Sequence, residues 1–184
     1  MSKQKSLTWS QIKAKLSGVS QQELLDIIRD LYKLNSDNKV FLSSHLQIGD
    51  PRDLSEPYRR KIRNEFYPDR GFPKLNLGAA RKALNDFKKA SADPKAVADL
   101  MAYYVEQGIQ CTLQYGDIDE AFYNSLESVF SDAIEIITKT GDAEIIAEFY
   151  PRLEQIVWDT SGMGWGFHDY LHDTFYSDYP QSFW

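Results

Sequence analysis

The chain is poor in cysteine, which restricts both its redox chemistry and its cellular setting. Its 184 residues include one cysteine, Cys111, so no disulfide can form within the chain. Absence of disulfides is typical of proteins from a reducing compartment. Cys111 lies among apolar residues of a helical pattern, and no histidine is near it in the sequence. We therefore expect a buried core cysteine and not an activated nucleophile.

Long apolar runs are also missing. No stretch approaches the roughly 18 apolar residues that a membrane-spanning helix needs. The first residues, 1–6, contain no apolar segment of the kind found in a secretory signal, and an amphipathic pattern follows them directly. The sequence therefore predicts a soluble, cytoplasmic protein.

No segment shows the alternating pattern of a β-strand bounded by hairpin turns. Apolar residues instead recur three and four positions apart along nearly the whole chain, which is the period of an amphipathic helix. The pattern predicts an all-α fold of eight or nine helices whose short loops make sequential helices antiparallel neighbours. Residues 122–130 resemble residues 149–157 in sequence, which suggests a helical-repeat-like array of stacked hairpins. Chance similarity between aromatic helix faces is an equally good explanation.

Several local signals place individual helices. Ser20 with Glu23 three positions later forms a capping-box pattern at a helix start. Ser55 precedes Glu56-Pro57, and proline is favoured in a first helical turn. Pro151 falls inside a helical pattern, so we expect it to kink that helix or to divide it in two.

Charge is distributed very unevenly along what reads as a single domain, 1–184. Residues 1–91 contain 18 basic and 10 acidic residues, a net charge of +8. Residues 92–184 contain 3 basic and 17 acidic residues, a net charge of −14. Oppositely charged surfaces attract different partners. We expect the two halves to meet, either within one chain or between two copies.

No established catalytic signature is present, which disfavours an enzyme without excluding one. The best candidate for chemistry is a histidine pair: His168 and His172 are four residues apart and would share one helix face. Two imidazoles at this spacing can bind one divalent transition metal, with Asp169 or Asp173 as a further ligand or as a hydrogen-bond acceptor. A short helix with its histidines on the solvated flank explains the same pattern and is the favoured interpretation, so no cofactor is predicted.

The basic half suggests a polyanion-binding surface. Basic side chains interleaved with aromatic ones can follow a phosphate backbone and stack bases. Its candidate residues are Arg59, Arg60, Lys61, Arg63, Arg81, Lys82, Lys88 and Lys89. No nucleic-acid-binding motif accompanies them, so an ordinary solvated helix face is favoured and nucleic acid is an unlikely partner. The glycine-rich loop 162–166 lacks the strand and the Lys-Ser/Thr of phosphate-binding loops, and it is interpreted as a hinge.

Several short segments resemble a known family. They include Val19-Ser-Gln-Gln-Glu-Leu24, Leu75-Asn-Leu-x-x-Ala-Arg-Lys-Ala83 and Tyr115-Gly-Asp-Ile-Asp119. Together they resemble a bacterial family of about this size that is classed only as a domain of unknown function. The resemblance covers most of residues 20–135, and it implies a small, helical, cytoplasmic bacterial protein without assigning any activity or catalytic residue.

We expect a non-enzymatic helical protein that binds another protein or itself through complementary charged faces. A metal-binding protein or metal-dependent enzyme built on His168 and His172 is the alternative. Polyanion binding through the basic half is the third hypothesis.

Overall fold

The computed structural model describes residues 7–180, and this range contains nine α-helices and no β-strand. The prediction of an all-α fold is confirmed. The helices are α1 (Trp9–Leu16), α2 (Gln21–Leu34), α3 (Ser36–His45), α4 (Pro51–Phe66), α5 (Leu77–Ala90), α6 (Pro94–Tyr115), α7 (Glu120–Thr140), α8 (Ala143–Asp159) and α9 (Phe167–Asp178). No helix in the described range is long and apolar enough to cross a membrane.

Helix α6 lies at the centre of the packing. It contacts α4, α5, α7 and α8, and 12 of its 22 residues are buried. The helix begins at Pro94, where the Asp93 side chain caps it by accepting a hydrogen bond from the backbone N–H of Lys95 at 2.9 Å. Helix α9 closes the other side of the molecule against α7 and α8. The sequential neighbours α4–α5, α6–α7 and α8–α9 all pack together, as the short loops predict.

The basic and acidic halves meet within one chain through an aromatic core. Phe66 of α4 packs edge-on against Tyr104 of α6, with ring centroids 4.8 Å apart, and against Phe122 of α7 at 5.4 Å. All three rings are almost completely buried. Burial of large aromatic rings contributes strongly to core energetics, so this apolar contact is one of the interactions that join the two halves.

The predicted start of α4 is wrong. The helix begins at Pro51 and not near Pro57, because Asp50 caps the earlier turn by accepting a hydrogen bond from the backbone N–H of Arg52 at 2.8 Å. Pro57 therefore lies inside the helix. Pro151 is also tolerated inside α8, which continues unbroken to Asp159 and is not divided in two. Each proline removes one backbone hydrogen bond from its helix. Buried residues before and after each proline keep the helix packed on the core, so it continues through the proline.

The glycine-rich segment 162–166 turns the chain from α8 into α9. Within this segment, Nε1 of Trp165 donates a hydrogen bond to Asp117 Oδ2 at 3.0 Å. The hydroxyl of Tyr123 donates to the other carboxylate oxygen of Asp117 at 2.7 Å. The segment is thus fastened to the α6–α7 connection. Gly166 has φ of 72°, a left-handed conformation that glycine adopts at little cost.

The close approach of α6 and α7 depends on Gly108. A Cβ atom at this position would lie 2.6 Å from Cδ1 of Leu126 and closer still to Cδ2. We expect Gly108→Ala to lower the free energy of unfolding by about 1 kcal/mol, because overpacking costs about 1–3 kcal/mol and the helix propensity of alanine returns only about 1 kcal/mol of it. Chemical denaturation measures the change.

Leu126→Ala provides the control for this prediction. Alone it leaves a cavity in the buried contact, but the added methyl group of Gly108→Ala fills part of that space. The double variant should therefore lose less stability than the sum of the single variants. Strict additivity would show that the two residues are not in contact.

Candidate functional site

Exposed apolar side chains are concentrated in the first three helices. Of the 19 large hydrophobic residues that are exposed in the described chain, 12 lie within residues 7–48. We call these 12 residues the N-terminal apolar surface: Leu7, Trp9, Ile12, Leu24, Leu25, Ile27, Leu31, Tyr32, Leu34, Phe41, Leu46 and Ile48. Single exposed apolar residues are ordinary, whereas large contiguous apolar patches are rare on soluble monomeric proteins.

Helix α2 carries the centre of this surface, and its local structure is well determined by sequence. Ser20 and Glu23 form the predicted capping box: the Ser20 hydroxyl accepts from the backbone N–H of Glu23 at 3.2 Å, and the Glu23 carboxylate accepts from the backbone N–H of Ser20 at 2.7 Å. The hydrogen bond from the Ser20 backbone lowers the pKa of Glu23. Leu24, Ile27 and Leu31 then recur along one face of the helix.

This apolar face is not covered by the core. Neither α1 nor α2 contains a buried residue, and the main packing contact of α2 is with α3. Only α3 is firmly attached to the rest of the molecule. Tyr58 of α4 donates a hydrogen bond to Asp37 Oδ1 at 2.6 Å, and Ser44 Oγ accepts from the backbone N–H of Ala92 at 2.8 Å.

A cleft of about 540 Å³ lies where α3 meets the start of α4 and the α5–α6 connection. Its walls combine apolar side chains such as Leu54 and Phe87 with polar ones such as Ser43 and His45. The exposed Ile48, a member of the N-terminal apolar surface, forms part of its rim. The cleft therefore lies beside that surface.

A cluster of four charged residues joins α4, α6 and α8. Arg152 of α8 donates to Glu106 with both Nε and Nη2, at 2.6 and 2.8 Å, and to Asp99 with Nη1 at 2.7 Å. Arg59 of α4 pairs with the second oxygen of Asp99. Its guanidinium also lies over the ring of Tyr103, 4.4 Å from the centroid. The four charges balance, so the cluster is electrically neutral.

The cluster is partly shielded from solvent, so its ion pairs contribute more to stability than fully exposed pairs do. The side chains of Arg152 and Asp99 are 29% and 22% exposed. Burial alone would lower the pKa of Arg152, but hydrogen bonds and charge attraction from Glu106 and Asp99 outweigh it and raise the pKa. A second cleft, about 340 Å³ in volume, opens beside Asp99 and Arg152 and is lined further by Arg52, Lys95 and Glu148. The cluster connects three helices and forms one wall of this cleft.

The histidine pair lies on α9, as the sequence predicts. The rings of His168 and His172 are 6.1 Å apart between centroids. The Thr160 hydroxyl donates to the Val157 carbonyl at 2.6 Å, so it accepts a hydrogen bond from Nδ1 of His168 at 2.9 Å. This bond leaves Nε2 of His168 as the nitrogen with a lone pair.

His172 interacts instead with its neighbours on α9. Its Nδ1 lies 3.3 Å from Asp173, and its ring lies 4.7 Å from that of Tyr176. No group of three or more His, Cys, Asp or Glu side chains within residues 7–180 is arranged to hold a metal ion. The structure therefore brings no third ligand from another element to His168, His172, Asp169 and Asp173, and metal binding there stays a prediction.

Several of the eight candidate residues for polyanion binding already contact other side chains. Arg59 is engaged with Asp99, and Arg63 lies 3.5 Å from Asp69. Arg81 donates to Ser128 at 3.0 Å, and Lys82 to Asp86 at 2.5 Å. Arg60 lies at the edge of pairing distance, 3.9 Å, from Glu56, and Lys61 lies 5.2 Å from the centroid of the Tyr58 ring. Lys88 and Lys89 lie near the end of α5. Polyanion binding also stays a prediction.

Two features were missed by sequence reasoning. The charged cluster has one sequence signal, since Arg152 is one of only three basic residues in the acidic half. The exposure of the α2 face has none, because its periodic pattern is the same as that of a helix packed on a core.

The charged cluster should contribute measurably to stability. Arg152→Met leaves Glu106 without its arginine partner and leaves Asp99 paired with Arg59 alone, so we expect it to lower the free energy of unfolding by about 2 kcal/mol. That value is below the range of about 3–5 kcal/mol for fully buried pairs because the cluster is partly solvated. Arg29→Met removes an exposed pair with Asp26 and serves as the control, with an expected change below about 0.5 kcal/mol. Equal effects would contradict the assigned role.

Cys111 should be inert in the folded protein. Its side chain is fully buried, and burial raises the pKa of the thiol to about 11. At pH 8 the reactive thiolate is therefore scarce and shielded from reagents. We expect a colorimetric thiol reagent to react with Cys111 only on the timescale of unfolding, and rapidly in denaturant. Rapid reaction of the native protein would contradict this burial.

Comparison with known proteins gives a family without an assigned activity. No curated protein matches the chain, and no solved structure matches it. A model of a family of unknown function, DUF6155, matches residues 7–175, which span all of α1 to α8 and most of α9. The match includes both the N-terminal helices and the charged cluster. The chain belongs to the family of unknown function DUF6155.

Proposed function

We propose that the protein is a helical protein-interaction module that binds its partner through the N-terminal apolar surface. The observation that supports this is the complete absence of buried residues from α1 and α2, although both helices are amphipathic. An amphipathic helix in water is stabilised mainly by burying its apolar face against something. A binding partner supplies that cover.

Burying the exposed side chains of this surface against a partner is favourable in free energy. Fully burying one large aliphatic side chain contributes about 1.5–3 kcal/mol relative to leaving it exposed. Leu31 and Leu34 are 48% and 72% exposed, and several neighbouring side chains are similarly open. Covering a few of them at once supplies enough free energy to offset part of the cost of association.

The contact that we propose is apolar, which distinguishes it from association through the oppositely charged halves. Those halves already pack against each other within the chain through Phe66 and its neighbours. Binding through the apolar surface should therefore persist when salt screens exposed charges.

Site-specific photo-crosslinking in the cells that naturally produce the protein tests this proposal. A photoreactive amino acid in place of Leu34 should form a covalent adduct with a protein, whose identity and contact site are determined by mass spectrometry. The matched control is the same substitution at Leu113, which is 61% exposed on α6 and outside the surface. Adducts at position 34 that are no more abundant than those at 113 would overturn the proposal.

A further inference from the structure

The size, the sequence pattern and the charge of the N-terminal apolar surface indicate which partner covers it. We propose that its partner is a second copy of this chain, and that two α2 helices pair antiparallel about a two-fold axis near Ile27. This inference rests on the proposed function, because it names the partner of the same surface.

The size of the surface suits a dimer. An aromatic side chain buries about 150–250 Å² in a core and a leucine or isoleucine somewhat less, so a half-exposed large side chain offers roughly 70–100 Å² for contact. Twelve such residues amount to on the order of 800–1,200 Å². A stable protein–protein interface needs about 800 Å² from each partner. The surface therefore has the area of one side of a dimer interface, and α2, which at 14 residues is about 21 Å long, forms its centre.

The apolar sequence of α2 is self-complementary. Its exposed stripe has Leu24 and Leu31 at the ends and Ile27 near the middle, so it reads Leu-Ile-Leu in both directions, and the exposed Leu25 lies next to Leu24 in the sequence. A two-fold interface requires the same patch on both partners, with each residue facing its symmetry equivalent or exchanging places with another. In an antiparallel pair, Leu24 lies opposite Leu31 of the second copy, and Ile27 lies beside Ile27 of the second copy.

The attachment of α2 favours the antiparallel direction. The helices that form the core follow α2 in the chain, beyond Asn35 and α3, whereas α1 precedes it and contains no buried residue. Antiparallel pairing places the two bodies at opposite ends of the helix pair, whereas parallel pairing crowds them at the same end. Opposed helix dipoles also interact more favourably than aligned ones.

The charge of α2 disfavours a membrane as the partner. Its polar face carries Glu23, Asp26 and Asp30 against Arg29 and Lys33, a net charge of −1. Amphipathic helices that lie on anionic membranes are rich in lysine and arginine on this face. Anionic lipid would repel α2 slightly, while the apolar face of a second copy meets no such charge.

Cysteine crosslinking of the full-length protein tests both the partner and the direction. A disulfide requires Cα atoms within about 7 Å. Ile27→Cys should therefore form a disulfide-linked dimer under mild oxidation. Leu24→Cys alone should not, because its equivalent lies about 10 Å away along an antiparallel helix. A mixture of Leu24→Cys and Leu31→Cys should crosslink more than either variant alone. The wild-type chain, with only the buried Cys111, is the background control.

Mass measurement in solution gives an independent readout. The protein should have twice the 21.2 kDa monomer mass, at both low salt and about 0.5 M salt. Leu31→Asp should yield a monomer with unchanged helix content, because Leu31 lies outside the core, and Leu113→Asp should remain dimeric.

The outcomes separate this inference from the proposed function. Crosslinking of Leu24→Cys to itself as readily as Ile27→Cys would overturn the antiparallel direction. A monomer at high concentration would overturn the second copy as partner. If the crosslinker at Leu34 then captures a different protein, the proposed function survives without this inference. If it captures nothing, both fail. A dimer that salt dissociates would place the contact on charged faces and would overturn the inference.

Discussion

Burial of α6 on several sides at once is the constraint on which the rest of the structure depends. Its apolar residues extend well beyond a single stripe, and four other helices are needed to cover them. Because α6 begins the acidic half and α4 and α5 end the basic half, covering α6 brings the two halves together. The basic and the acidic half of the sequence thus share one core, which is mainly apolar and aromatic.

The charged cluster on α6 adds directional contacts to this apolar packing. Asp99 and Glu106 are two turns apart on one face of α6, and Arg152 bridges them from α8 while Arg59 reaches Asp99 from α4. Apolar burial has no preferred direction, whereas bidentate arginine–carboxylate contacts fix orientation. We infer that the cluster sets how α4 and α8 lie across α6.

The N-terminal helices α1 and α2 differ from the core helices in how little of their surface is buried. Their capping and periodicity are as regular as those of the core helices, yet neither α1 nor α2 contains a buried residue. α3 connects them to the core through Tyr58–Asp37 and the Ser44 hydrogen bond. The molecule thus combines a buried core with amphipathic N-terminal helices that contain no buried residue, and this contrast is the basis of the interaction function that we propose.

The sequence by itself determined the all-α class, most of the helix positions and the Ser20 capping box, because these follow from local periodicity and local hydrogen bonds. It misplaced the start of α4, where Asp50 competes with Ser55 as a cap. Only the tertiary structure decided that Arg152 meets Asp99 and Glu106, 53 and 46 residues away in sequence. It alone also decided that the α2 stripe stays exposed. The sequence pattern predicts that a helix has an apolar face. Which surface buries that face depends on how all the other helices pack.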